Sequence, residues 1–224
     1  MFNKILSLLI KAGVVAIGIS GIITTCGSTG FMGAGVTFLY FTVQSNIFAI
    51  LVMTLFLVNS IGLLIGKRSF VRGWMRLIKY SATIGVTITF LVFVTMLAPL
   101  LGVDYLLSYG NFSLHGIVPI LMMFDFFYFD VDAPINRMSC LYGALPPLCY
   151  FIFFLVGSVT GIRYIDNAFA PYFFLDYQTH GWFDVSSNGL GTGYWFMILF
   201  AFIIALCYMF LLLMKVRRGD FKKR

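Results

Sequence analysis

Glutamate is missing from this 224-residue chain, and charge of either sign is scarce: all eight acids are Asp, and charged residues make up only 10% of the total. An ordinary soluble domain carries about 25%. With 61% of its residues hydrophobic, the chain has too little polar surface to cover a water-soluble globule and too much apolar surface to stay unfolded. Cysteine is sparse as well. Cys26, Cys140, Cys149 and Cys207 show no C-x-x-C spacing and fall at scattered depths, which argues against a zinc knuckle and against a disulfide framework.

What is abundant is aromatic and aliphatic: 26 Phe, 12 Tyr and long apolar runs. A helix crossing the hydrocarbon core of a bilayer needs about 20 mostly apolar residues. Six stretches qualify, at approximately 5–25, 36–66, 79–101, 114–130, 141–162 and 194–214. They predict one all-α domain over 1–224, a polytopic membrane helical bundle of six transmembrane helices. The first stretch begins like a signal peptide, but Lys11 interrupts it and no small-x-small cleavage site follows, so we read it as a retained span. The second exceeds the bilayer core and must tilt, kink or project.

The net charge of +7 does not point to nucleic acid, because the bases sit in short clusters beside apolar runs. In a six-span topology one side collects Lys4 and Lys11, five bases between Lys67 and Lys79, Arg137, and six from Lys215 onward, 14 of the 15 bases. Arg163 alone falls opposite. The positive-inside rule then places both termini in the cytoplasm and the protein in the cell membrane, with membrane lipids as its partners. The largest outer segment, 163–193, is rich in aromatic residues such as Tyr164, Tyr172 and Trp182. These suit a cap at headgroup level better than a free loop.

Polar groups inside a membrane are costly and therefore candidates for function. In the second span, at about 100° per residue, Thr42, Ser45 and Asn46 share one helix face while Gln44 points away. Such residues also serve merely to bond their own backbone or glue helices together. The fourth span carries His115, Pro119 and Asp125. Pro119 has no N–H, so the carbonyl of His115 is expected to lose its helical bond and the helix to kink there. Spans two and four run in the same direction, so Thr42 and His115 are expected at one depth near the outer face. A threonine hydroxyl needs a base to become a nucleophile, and a neutral imidazole is the side chain suited to that. Asp125 lies about 15 Å further along the helix, too far to orient His115, and is expected to pair with another helix or stay protonated. Asp176 in the outer cap is the better-placed orienting group. His180 with Asp176 and Asp184 could form a cation site, but such loop groups are more often simply solvated, and no metal is assigned.

At these residues the sequence resembles the androgen-induced protein and androgen-dependent TFPI-regulating protein family of multispan membrane hydrolases, with their bacterial relatives. The matching elements are Phe41-Thr42-x-x-Ser45-Asn46, Leu114-His115-x-x-x-Pro119 with Asp125, Thr160-Gly161, and Phe173-Phe174-Leu175-Asp176, in order over roughly 35–177. The animal members cleave fatty acid esters of hydroxy fatty acids with an intramembrane Thr and His. The resemblance implies that Thr42 and His115 take those roles. The chain departs from the animal pattern near Ser45, where those members carry a carboxylate, and in its Pro spacing after the His.

The expected function is thus an intramembrane lipid ester hydrolase or acyl-transferring enzyme with Thr42 as nucleophile, His115 as base and Ser45 or Asn46 as donor to the developing oxyanion, requiring no cofactor. The alternatives are a transporter or channel with Asp125 as an ion or proton site, which would favour paired broken helices, and a non-catalytic membrane scaffold.

Overall fold

A computed structural model describes residues 2–28, 35–186 and 189–219. It contains six helices long and apolar enough to cross a membrane: α1 (Phe2–Ser28), α2 (Phe41–Leu64), α3 (Gly73–Leu100), α4 (Tyr109–Phe129), α5 (Ser139–Val159) and α6 (Thr192–Arg218). Large apolar side chains point outward along them, among them Leu51 on α2, Ile152 on α5 and Leu212 on α6. In water such a surface would drive aggregation; facing hydrocarbon it costs nothing.

The helix α3 stands at the centre. All eleven residues from Lys79 to Thr89 are buried, which means that it is surrounded on every face. On one side Val86 meets Val14, Ala49, Met53 and Met122 of α1, α2 and α4. On the other Tyr80, Ile84 and Ile88 meet Phe126 of α4 and Ile203 and Phe210 of α6. The approach of α1 to α4 depends on glycine: a Cβ on Gly110 would stand 2.6 Å from the Thr25 hydroxyl, and one on Gly21 2.9 Å from the Ser113 Cβ. Small residues are the usual means by which membrane helices pack closely.

One refinement of the sequence expectation and one departure from it bear on function. The long second run does not tilt as one rod. It breaks at Tyr40, whose extended backbone (φ −85°, ψ 140°) precedes α2, and the Leu39 carbonyl accepts from the Tyr150 hydroxyl at 3.1 Å. Thr42 consequently lies in the first turn of α2. The third run begins at Gly73, so Arg76 and Lys79, expected in a loop, are helical, and Lys79 is fully buried.

The segment between α5 and α6 folds over the α2 end. Its helical turn Phe173–Leu175 delivers Phe174 and Leu175 to a cluster with Tyr150, Phe154 and Tyr164. Tyr172 stacks on Phe174 at 5.1 Å between ring centres and meets Tyr40 edge-on at 5.9 Å. Further along, a two-stranded antiparallel ribbon pairs Val185 with Leu190 and Ser186 with Gly189.

Candidate active site

Two of the long helices change their winding at the same level. After Val92, α3 takes a π-turn over Phe93–Leu97, and α4 has one over Ser113–Ile117. Such single-turn insertions re-aim side chains and recur at functional sites. Here they bring Phe93 flat onto His115, with ring centres 4.0 Å apart and planes inclined by 26°.

The α4 π-turn also changes which carbonyl Pro119 leaves open. In that register the N–H of Val118 bonds Ser113, so the missing N–H of Pro119 falls on the Leu114 carbonyl rather than on that of His115. Asn46 fills it: its Nδ2 donates to Leu114 O at 3.1 Å and to Thr42 O at 2.7 Å. Both amide hydrogens are thereby used on backbone. Asn46 ties α2 to α4 at the level of the histidine and has no donor left over for an oxyanion.

Within that frame the Thr42 Oγ1 lies 3.0 Å from His115 Nε2. Both side chains are half-buried. The other ring nitrogen, His115 Nδ1, is 3.1 Å from the Asn111 carbonyl. A carbonyl can only accept, so Nδ1 carries the hydrogen and a neutral ring presents its Nε2 lone pair to the Thr42 hydroxyl. The orienting group is therefore a backbone carbonyl one turn earlier on the same helix. Asp176 serves elsewhere, accepting from the Thr179 N–H at 3.1 Å as the cap of the short helix Tyr177–His180. Ser45 faces α3, bonding Thr89 Oγ1 at 2.9 Å and Thr42 O at 3.1 Å. Gln44 turns the other way, onto a groove of about 690 Å³ that excludes Thr42.

Two cavities meet at the Thr42–His115 pair. One, about 100 Å³, is a narrow slot bounded by Ile88 and Val92 of α3, Phe151 of α5, and Leu199, Phe200 and Ile203 of α6. The other, about 340 Å³, is bordered by Thr24, Ser28, Tyr40, Tyr105, Ser108 and Asn111. Thr42, Phe93, Leu97, His115 and Tyr172 border both. Tyr172 and Phe93 were not singled out by sequence as site residues. An aromatic in an aperiodic loop and another in a long apolar helix carry no local signal of what they pack against. Burial holds the Tyr172 phenol above its ordinary range, against an opposing pull from the Thr42 hydroxyl, so it stays protonated and able to donate.

Asp125 belongs to a different constellation at the opposite end of the bundle. It is fully buried and accepts from Lys11 at 2.7 Å and from Lys79; Lys79 also donates to Asp130, and Arg76 stands 3.9 Å from Asp130. Lys11 and Lys79, read from sequence as topological charges, are thus the partners of a buried carboxylate, and the pairing of Asp125 with other helices is observed. Among the described residues no group of three or more His, Cys, Asp or Glu could hold a metal ion.

The fold and site define an all-α bundle with six helices of membrane-spanning length and a half-buried Thr–His pair between two cavities. Compared with family models, with curated proteins and with solved structures, the chain matches none.

Proposed function

We propose that the protein is a multi-pass membrane enzyme of the threonine ester hydrolase type, acting on a lipid that enters laterally from the bilayer. The observation that carries this reading is the chain Thr42 Oγ1, His115 Nε2, His115 Nδ1, Asn111 carbonyl, with separations of 3.0 and 3.1 Å at its two hydrogen bonds. It has the form of a hydroxyl nucleophile, its base and an orienting group. The concentration of Lys and Arg at the Asp125 end, against a lone Arg163 at the Thr42 end, supports a topology with both termini in the cytoplasm and the pair near the outer leaflet. The resemblance to the androgen-induced protein family supports the same pair and names fatty acid esters of hydroxy fatty acids as the substrate class to try.

In the reaction His115 Nε2 takes the Thr42 proton as Thr42 Oγ1 attacks the ester carbonyl. The tetrahedral oxyanion is met by the Tyr172 hydroxyl and by the N-terminal end of α2, whose dipole favours negative charge. Collapse expels the alcohol, which takes its proton from His115, and leaves an acyl-Thr42. Water, deprotonated by His115, then attacks the acyl carbon, and fatty acid leaves as Thr42 recovers its proton. The transporter alternative gains nothing from Asp125, which two lysines already hold.

A fluorophosphonate probe, followed by mass spectrometry of the labelled peptide, tests this on purified protein. Label on Thr42, lost in Thr42→Ala and His115→Ala together with release of fatty acid from ester lipids, is the expected result. Turnover retained in either correctly folded variant would end the proposal.

A further inference from the structure

At the end of the bundle opposite Thr42, a hollow of about 410 Å³ opens between the start of α1, the end of α2, the α2–α3 connection and the end of α4. We infer that it binds the phosphate of an anionic phospholipid from the leaflet at that end, the inner one in the orientation proposed above. The site is separate from the Thr42–His115 pair and stands whether or not that pair is catalytic.

Three observations carry this. First, positive charge is in excess. Lys4, Lys11 and Arg76 border the hollow against the carboxylate of Asp130. Behind them Lys79 is paired with Asp125 and Asp130, and Asp125 with Lys11. Four cations thus stand against two carboxylates, a net charge of +2. Lys11, Lys79, Asp125 and Asp130 are buried, so salt screens their field weakly, and an anion in the hollow would balance it.

Second, the unspent groups are donors. Arg76 comes no nearer to Asp130 than 3.9 Å and makes no hydrogen bond among the described residues. Asn59, only 9% exposed, borders the hollow, and its Oδ1 accepts from the Ser69 hydroxyl at 3.1 Å and the Phe70 N–H at 3.0 Å. A backbone N–H can only donate, which fixes the orientation of the amide. Its Nδ2 is then the free end, donating to none of the described residues and not closed off from an occupant. The Ser7 hydroxyl accepts from Lys11 and keeps its own hydrogen. Ser60 and Ser69 spend theirs within the chain. Phosphate oxygens accept only, which suits this set, and bonds from a guanidinium to such an anion are among the stronger ones.

Third, the remaining borders are apolar: Phe56, Leu63, Val71 and Phe129. Leu63 is exposed, so the hollow continues onto the lipid-facing surface of α2. Acyl chains gain from that flank and free phosphate does not. A choline headgroup would bring a cation to a site already positive. Basic pockets between membrane helices are a recurring way of holding acidic headgroups.

Native mass spectrometry of the full chain in neutral detergent, titrated with dioleoyl phosphatidylglycerol, dioleoyl phosphatidylcholine or inorganic phosphate, tests this. One phosphatidylglycerol is expected to bind about tenfold more tightly than phosphatidylcholine, the worth of one charged hydrogen bond. A large excess of inorganic phosphate should not displace it. Arg76→Gln removes the guanidinium. Asn59→Asp keeps an acceptor for Ser69 and Phe70 and turns the free donor into an oxygen that repels phosphate. Each should weaken phosphatidylglycerol about tenfold and leave phosphatidylcholine within about twofold. The double variant Lys67→Gln, Arg68→Gln removes exposed bases of the same connection that do not border the hollow, and should keep the preference. Equal affinity for the two lipids overturns the inference. So does an equal loss in the Lys67 and Arg68 variant, which would reduce the effect to general surface charge. Displacement by inorganic phosphate overturns the lipid as the source and makes the ligand free phosphate.

Discussion

His115 Nδ1 lies 3.1 Å from the backbone carbonyl of Asn111, one helical turn back on α4. A carbonyl fixes the tautomer as a carboxylate would, but adds no full negative charge to stabilise an imidazolium, so the pair depends on basicity of the ring itself. Replacing His115 with Gln keeps a polar group of similar reach and removes the base. The expected outcome is a fall in kcat of about 10²-fold or more with the thermal midpoint nearly unchanged, read by single-turnover hydrolysis and by melting in detergent. A variant that keeps wild-type kcat would show that the imidazole is a packing residue.

Tyr172 borders both cavities beside Thr42, and burial keeps its phenol protonated. If it donates to the oxyanion, Tyr172→Phe removes an interaction made only in the transition state. That lowers kcat by about 10²-fold and leaves KM close to its original value. A rise in KM at constant kcat would instead assign Tyr172 to substrate binding. The ring itself survives in the variant, so its stacking on Phe174 is preserved and folding is not the variable tested.

Asn46 and Pro119 explain each other. The proline takes away an N–H that the Leu114 carbonyl would have used, and the Asn46 amide supplies one from α2. Asn46→Leu is expected to destabilise the bundle by about 1–3 kcal/mol, the cost of leaving the buried Leu114 carbonyl without a donor. In a Pro119→Ala background the backbone N–H returns, so the same Asn46 substitution should cost measurably less. The double-mutant cycle, followed by thermal or denaturant unfolding in detergent, gives the coupling; strict additivity would mean that the two residues act independently.

Much of this arrangement was legible in the sequence, and the reasons are physical. Run lengths alone gave six helices, because a bilayer-crossing segment has nowhere to place a charge except at its ends or against another charge. Equal direction of the second and fourth spans was enough to bring Thr42 and His115 to one level. Lys79 misled for the opposite reason: a lysine at the edge of an apolar run looks like a topological signal, and its partners Asp125 and Asp130 are 46 and 51 residues away. The orienting Asn111 carbonyl was invisible because backbone acceptors have no sequence signature, and a search for carboxylates led to Asp176 instead. Nor could the π-turns be foreseen, and they move the open carbonyl by one residue.

The buried cluster of Asp125, Lys11, Lys79 and Asp130 offers the sharpest separation of structure from chemistry. It lies at the opposite end of the bundle from Thr42, and its members are almost entirely removed from solvent. Removing one partner of a buried ion pair leaves an uncompensated charge, which costs about 3–5 kcal/mol. In Asp125→Leu two buried ammonium groups lose a shared carboxylate, so a markedly lower melting temperature and reduced yield of folded protein are expected. The fraction that does fold should turn over ester at close to the normal rate per labelled active site, because nothing in the cluster touches the cavities. Normalising turnover to fluorophosphonate-labelled protein makes the distinction. Normal stability with turnover abolished would place Asp125 in the working mechanism after all, and proton flux in liposomes would then be the measurement to pursue.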